Sequence, residues 1–226
     1  MRVLAIIPAY NEQESIVSTM EEFLAANTGC DYLIVNDGSS DSTELICQEH
    51  GYNHVSHPTN LGLTGGFQTG VKYALAHGYD AVIQFDADGQ HVPTFIPKMI
   101  AEMGRTDANI VIGSRFVRES KSFSARMIGS RLITGITKLT TGQTVTDPTS
   151  GMRLYDRSMM EEFAKRFDFG PEPDSIAYLM RHGAKVSEVQ VQMRDRQAGE
   201  SYLNFAKSIS YMVRTCTSIL LAQWFR

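Results

Sequence analysis

Ala81-Val82-Ile83-Gln84-Phe85-Asp86-Ala87-Asp88-Gly89-Gln90-His91 joins a short, largely apolar run to two carboxylates, a glycine and an amide. The run is too short for a helix and suits a buried strand, so the polar residues begin where that strand leaves its sheet. Outward from it, Val3–Ile7 and Tyr32–Val35 have the same character, and Asn109–Gly113 extends the set. Between them Ser15–Ala26, Asp41–His50 and Gly65–His77 carry apolar residues at helical spacing. This alternation predicts βαβ units, and hence an α/β domain with a mostly parallel central sheet flanked by helices.

The second half is more mixed. Val117–Thr146 reads as a helix with loops on either side, and Met152–Tyr155 and Val186–Met193 read as strands. In the latter, Val189, Val191 and Met193 alternate with polar residues, which predicts an edge or half-exposed position. From Tyr202 to Phe225, Phe205, Ile209, Met212, Val213, Cys216, Ile219 and Leu220 recur at three and four, with Lys207 and Arg214 elsewhere on the wheel. That is an amphipathic helix. No repeat or linker divides the chain, so residues 1–226 are expected to form a single domain.

Composition narrows the function classes. Of 226 residues 42% are apolar and 20% charged, enough for a substantial core. With 21 Lys and Arg against 25 Asp and Glu, the net charge is −4 and there is no basic run, which disfavours nucleic acid as a partner. Cys30, Cys47 and Cys216 are odd in number and far apart, which fits a reducing compartment rather than a disulfide framework. Val3–Ile7 is short for a signal-peptide core, and Tyr202–Phe225 is interrupted by Asn204, Lys207 and Arg214, so neither export nor a membrane span is expected.

Ligands of parallel α/β sheets bind outside the carboxyl ends of the strands. The segments there are Pro8-Ala9-Tyr10-Asn11-Glu12, Asn36-Asp37-Gly38-Ser39-Ser40-Asp41 and Asp86–His91. Asp41 or Ser42 has a simpler use, as a cap for the next helix. Asp86 and Asp88 offer hard oxygen ligands of the kind that suit Mg²⁺ or Mn²⁺ bridging a diphosphate.

These segments, with Asn60-Leu61-Gly62 and Gly113-Ser114-Arg115, follow the order and approximate spacing of the inverting family-two glycosyltransferases, which the sequence resembles over roughly its first 155 residues. Asp147-Pro148-Thr149-Ser150-Gly151-Met152-Arg153 also looks like a family element preceding a strand. The resemblance implies a GT-A nucleotide-diphospho-sugar transferase fold. Residues 1–115 would form its nucleotide-sugar half, 116–201 its acceptor half and 202–226 a C-terminal amphipathic helix. It places Pro8, Tyr10, Glu12, Asp37, Asp86, Ala87 and Asp88 at the donor, and Asp86, Asp88 and Gln90 at a metal, Mg²⁺ or Mn²⁺.

Within the family the sequence looks most like the polyprenyl-phosphate sugar synthases, the group of dolichol-phosphate mannose synthase. Gln90 follows the aspartate pair as in those enzymes, and Arg196-Gln197-Ala198-Gly199-Glu200-Ser201 matches their late Arg-x-x-Gly-x-Ser element, although Tyr202 stands where lysine is common. The Gln-x-x-Arg-Trp element of processive polysaccharide synthases is absent. The chain resembles the short form of these synthases, so membrane contact is expected to be peripheral, at the cytoplasmic face.

A hydroxyl acceptor needs a general base, whereas a lipid phosphate is already anionic and needs positioning and charge neutralisation. Arg115, Arg126, Arg131, Arg153, Arg194 and Arg196 all fall in the acceptor half, and a guanidinium grips phosphate bidentately. Of these, Arg115, Arg131 and Arg196 are taken as catalytic-site residues with Asp88. His91 is either a base or a positioning group. Asp147 and the Glu172-Pro173-Asp174 group are base candidates by family position, and Asp147 is included in the catalytic set.

The expected activity is inverting, metal-dependent transfer of a hexose from a UDP- or GDP-sugar to polyprenyl phosphate. Transfer to a saccharide hydroxyl in capsule or cell-wall assembly, or a catalytically silent nucleotide-binding subunit, are the alternatives. The sequence does not distinguish UDP from GDP, and the C-terminal helix suits either a homo-oligomer interface or a membrane.

Overall fold

The computed structural model describes residues 1–121, 125–167, 169–195 and 205–221. Seven strands form one sheet: β1 (Val3–Ala9), β2 (Asp31–Asn36), β3 (His54–Ser56), β4 (Ala81–Gln84), β5 (Ile110–Ser114), β6 (Arg153–Asp156) and β7 (Val186–Gln190), in the order β3-β2-β1-β4-β6-β5-β7. β1 lies parallel to β2 and β4, β2 to β3, and β5 to β7. β6 alone runs against its neighbours, pairing Gln84 with Arg153 and Ile112 with Arg153. This reversal positions the site, because it brings the start of β6 to the edge where the parallel strands end.

Alternation along β1 splits the core in two. Ala5 and Ile7 face α1 (Ile16–Ala25), α2 (Thr43–Glu49) and α4 (Ile96–Thr106), packing with Met20, Phe23, Cys47 and Met99. Leu4 and Ile6 face α3 (Gly62–Ala76), α6 (Arg157–Lys165) and α7 (Pro173–Arg181), packing with Phe67, Val71, Phe163 and Leu179. The sheet is therefore covered on both sides, as a parallel sheet requires. Beyond it, α5 (Ala125–Thr141) and α8 (Phe205–Leu221) pack together and against α7 around Ile133, Ala177 and Ile219. Gly129 makes that crossing close: a Cβ there would overlap the Met212 side chain.

β3, α4, α6 and α7 are additions to the sequence-based expectation. Three residues of β3 show no periodicity, and α4 and α6 are short, each turning only a few apolar side chains inward. The span 117–146 contracts to α5, and β7 closes the sheet edge, half-exposed along its length, as the alternation predicted. Among the described residues no helix is long and apolar enough to cross a membrane.

Candidate active site

The loops after β1 and β2 are stitched together. The Asn11 amide donates to Ser39 Oγ (3.0 Å), the Ser40 amide to Asn11 Oδ1 (2.9 Å) and the Glu12 amide to Thr43 Oγ1 (2.9 Å). Asp41 accepts from the amide and hydroxyl of Thr43, the first residue of α2, and from the Gln13 amide, while Ser42 holds the N-cap position without a side-chain cap bond. Burial works to raise the Asp41 pKa, and these hydrogen bonds bring it below the ordinary value. Tyr10 is exposed, and the amide of the buried Asp37 donates to the carbonyl of Ala9, just before Tyr10. Pro8, next to the end of β1, lies opposite Val35. Glu12 accepts from the Ser15 hydroxyl at 2.6 Å at the start of α1, and Ala87 packs in the core with its carbonyl taken by the Thr19 hydroxyl.

After β4, the buried Gln84 amide holds Asp86 Oδ1 at 2.9 Å. His91, 3% exposed, accepts the Asp86 backbone N–H on Nδ1 at 3.0 Å, which puts the ring proton on Nε2, 3.5 Å from Asp86 Oδ2. One imidazole thus braces both the backbone and the carboxylate of Asp86, a positioning role. Gly151, at the start of the returning β6 segment, lies directly beneath: a Cβ there would come within 2.7 Å of Asp86 Oδ2. Asp88, 6% exposed, accepts the Gln90 amide on Oδ1 at 3.0 Å, and the Gln90 side-chain amide donates to the Arg194 carbonyl.

Beside Asp86 opens a cavity of about 890 Å³ whose wall carries Arg115, Arg153, Arg194 and Arg214. Arg115 donates from Nε and a terminal nitrogen to the two oxygens of Asp147, at 2.7 and 2.9 Å, and its amide adds a third bond. The Asp147 side chain is wholly buried. Burial would raise its pKa, but the hydrogen bonds and charge of Arg115 outweigh this and hold it low. Behind it, the Glu188 carboxylate on β7 accepts from the amides of Thr146 and Asp147 and from the Thr146 hydroxyl, fixing the segment that presents Asp147. Arg153 is buried and ties two loops together through the Pro148 and Pro171 carbonyls. Arg194 grips Glu22 with two bonds, of 2.6 and 2.8 Å. Glu172, at the N-cap of α7, accepts from Tyr211 on α8 at 2.7 Å, and Asp174 accepts from Ser218 at 2.6 Å.

The profile of Glycosyl transferase family 2 matches residues 4–163. The chain belongs to this family. It is 32% identical to the undecaprenyl-phosphate mannosyltransferase of Micrococcus luteus, over 99% of this chain and 96% of that one. It is also 31% identical to the UDP-N-acetylglucosamine–dolichyl-phosphate N-acetylglucosaminyltransferase of Methanococcus voltae, over 84% of each. Glucosyl-3-phosphoglycerate synthase from Mycobacterium tuberculosis, solved with Mn²⁺, UDP and glucosyl-3-phosphoglycerate, shares the fold at a TM-score of 0.67 and 19% identity, covering 98% of this chain and 79% of that one.

The donor set of this family 2 glycosyltransferase fits a hard divalent cation. Asp86 and Asp88 lie on a braced loop, and Gly151 keeps the space next to Asp86 Oδ2 clear. Among the described residues no group of three or more His, Cys, Asp or Glu side chains forms a cage. Two carboxylates that leave the remaining ligand positions to phosphate oxygens and water match the habit of Mg²⁺ and its analogues.

The large cavity does not include Arg131. That side chain lines a separate recess of about 220 Å³ with Lys121 and Thr146, and donates to the Lys121 carbonyl at 2.5 Å. Arg196 lies outside the described residues; Arg126 is in the first turn of α5, its side chain likewise outside them. Arg153 and Arg214 line the large cavity along with Arg115 and Arg194. A signal for Arg214 was available: Ser210, Tyr211 and Arg214 share one helical face, and all three line the cavity. Glu188 carried no such signal, because its role depends on β7 lying beside β5.

Proposed function

We propose that this enzyme transfers a hexose from a nucleotide sugar to polyprenyl phosphate with inversion, using Mg²⁺ or Mn²⁺. One observation carries the reading: the cavity beside Asp86 is lined by Arg115, Arg153, Arg194 and Arg214, while the acids nearest a base role, Asp147 and Glu172, are tied to Arg115 and Tyr211. That wall suits an acceptor that brings its own negative charge and needs no proton removed. The phosphate oxygen attacks the anomeric carbon as the bond from that carbon to the donor diphosphate breaks, and no proton moves. Arg115, steadied by Asp147, orients the acceptor phosphate with Arg214 beside it, while Arg153 holds the two loops of the wall together. Asp86, Asp88 and Gln90 would hold the cation, which supplies charge neutralisation for the leaving diphosphate.

The relatives' names, which specify undecaprenyl- and dolichyl-phosphate, support the same acceptor class. A lipid acceptor must be met at a membrane. Ile128, Leu132, Val213 and Leu220 are exposed on the packed pair α5 and α8, next to the cavity that Arg214 lines, and this face is the proposed peripheral contact.

The second reading, a hydroxyl acceptor, draws on Asp195 at the cavity wall, the acid that would then serve as base. A transfer assay pairing UDP- and GDP-sugars with a short polyprenyl phosphate and with saccharides, in Mn²⁺, decides between them. Sugar-phosphate-lipid as the product supports the proposal. Product formed only on saccharides, and lost in Asp195→Asn, overturns it, and nucleotide binding without any transfer leaves the silent-subunit reading.

A further inference from the structure

Asp37 carries an asymmetry. Its Oδ1 accepts two hydrogen bonds, from His57 Nδ1 at 2.7 Å and from the Leu61 amide at 2.9 Å, which fills both lone pairs of that oxygen. Oδ2 accepts none from any described residue, although Asp37 is only 4% exposed. A carboxylate only accepts, so His57 holds its proton on Nδ1, and Nε2 accepts from the Thr69 hydroxyl at 2.9 Å. His57 is therefore locked between β2 and α3, and the Asp37 carboxylate is locked with it. Tyr10, 47% exposed, follows Ala9, whose carbonyl receives the Asp37 amide at 2.9 Å.

A single unfilled, buried acceptor oxygen, with an exposed tyrosine next in sequence to the residue whose carbonyl holds the Asp37 amide, suits a planar heterocycle that offers one N–H. Uracil presents one, N3–H, between two carbonyls. Guanine presents two adjacent donors, N1–H and the exocyclic amine, which match both oxygens of a carboxylate taken together. We propose that His57 is a positioning residue that makes Asp37 a single acceptor and thereby selects a uridine rather than a guanosine diphosphate sugar. The inference rests on the reading of the donor as a nucleotide sugar and adds which base it carries.

Calorimetry of UDP and GDP binding to the full chain in Mn²⁺ tests it. The unaltered protein should bind UDP at least about tenfold tighter than GDP. His57→Leu, which frees Oδ1, should bring the two affinities to within about threefold of each other. His57→Asn, whose amide can still donate to Oδ1, should keep most of the preference. Thermal melts establish that each variant is folded; if His57→Leu is not, the unaltered protein and His57→Asn carry the test. Equal or tighter binding of GDP by the unaltered protein overturns the inference while leaving the donor reading intact, as does an unchanged UDP preference in folded His57→Leu. Binding of neither nucleotide overturns both.

Discussion

Arg115 and Asp147 grip each other through two side-chain hydrogen bonds, of 2.7 and 2.9 Å, with the aspartate wholly buried and the arginine reaching the cavity wall. The acid that family position offers as a base is thereby the anchor of an arginine on the cavity wall. Asp147→Asn should lower stability by about 2–4 kcal/mol, since it leaves Arg115 without its charge partner. It should also raise the KM for lipid phosphate about tenfold, with donor affinity unchanged. The pair has a pH signature. A carboxylate depressed below its ordinary 3.8 contributes stability that is present above the unfolded-state value and lost as pH falls through the folded one. Urea titrations from about pH 6 to about pH 2.5 should therefore show the gap between the unaltered protein and Asp147→Asn closing only below about pH 4.

Removing the proposed cation ligand should separate chemistry from folding. Asp88→Asn is expected to cut turnover by at least about a hundredfold with the melting temperature nearly unchanged, because the residue sits on a loop and the asparagine keeps an oxygen that can accept the Gln90 amide. Excess EDTA should silence the unaltered enzyme, and Mn²⁺ or Mg²⁺ should restore it. Full activity in either condition removes the metal from the mechanism.

Gly151→Ala is the smallest change that reaches the same site. Its Cβ would sit 2.7 Å from Asp86 Oδ2 and 3.4 Å from His91 Nε2, so the carboxylate must turn aside. Turnover should fall about tenfold or more, together with the apparent affinity for Mn²⁺, as read by metal titration of the initial rate. An unchanged metal dependence would show that Asp86 does not contact the cation.

Tyr211 ties α8 to the head of α7 through Glu172. Burial, followed by the neighbouring Glu172 charge, raises its phenol pKa, so it remains a donor at neutral pH. Tyr211→Phe should cost about 1–2 kcal/mol and raise the acceptor KM several-fold. The pH–rate profile should gain no new acid limb; a limb that appears once Glu172 is released would identify that carboxylate as a base.

The two apolar neighbours near the end of α8 have different jobs. Ile219 is buried against Ile133 and Ala177, whereas Leu220 is 40% and Val213 60% exposed. Ile219→Ser should destabilise the fold by about 2–4 kcal/mol. Val213→Ser with Leu220→Ser should leave the melt unchanged and activity on a short soluble acceptor intact, yet abolish sedimentation with anionic vesicles. Undiminished sedimentation would place the membrane contact elsewhere.

By itself the sequence determined the βα alternation, the half-exposed edge strand β7, the polar turn that leads into α2 and the placement of Asp86 and Asp88 at a strand end. Each depends on neighbours within a few positions, and the repeats of two and 3.6 make such neighbours readable. Which arginines share a cavity was decided only by tertiary structure. Arg131 and Arg115 lie on adjacent segments yet point into different spaces, while Arg153 and Arg214 arrive from β6 and α8. An amphipathic stripe likewise does not say what covers it, so Ile219 and Leu220 are equivalent in the sequence and opposite in the fold. The clasp of His57 on Asp37 joins residues 20 positions apart, on loops that meet because β2 and β3 are paired in parallel. Such contacts are set by strand order and direction, and those come from how whole elements bury their apolar faces together, which no local pattern along the chain encodes.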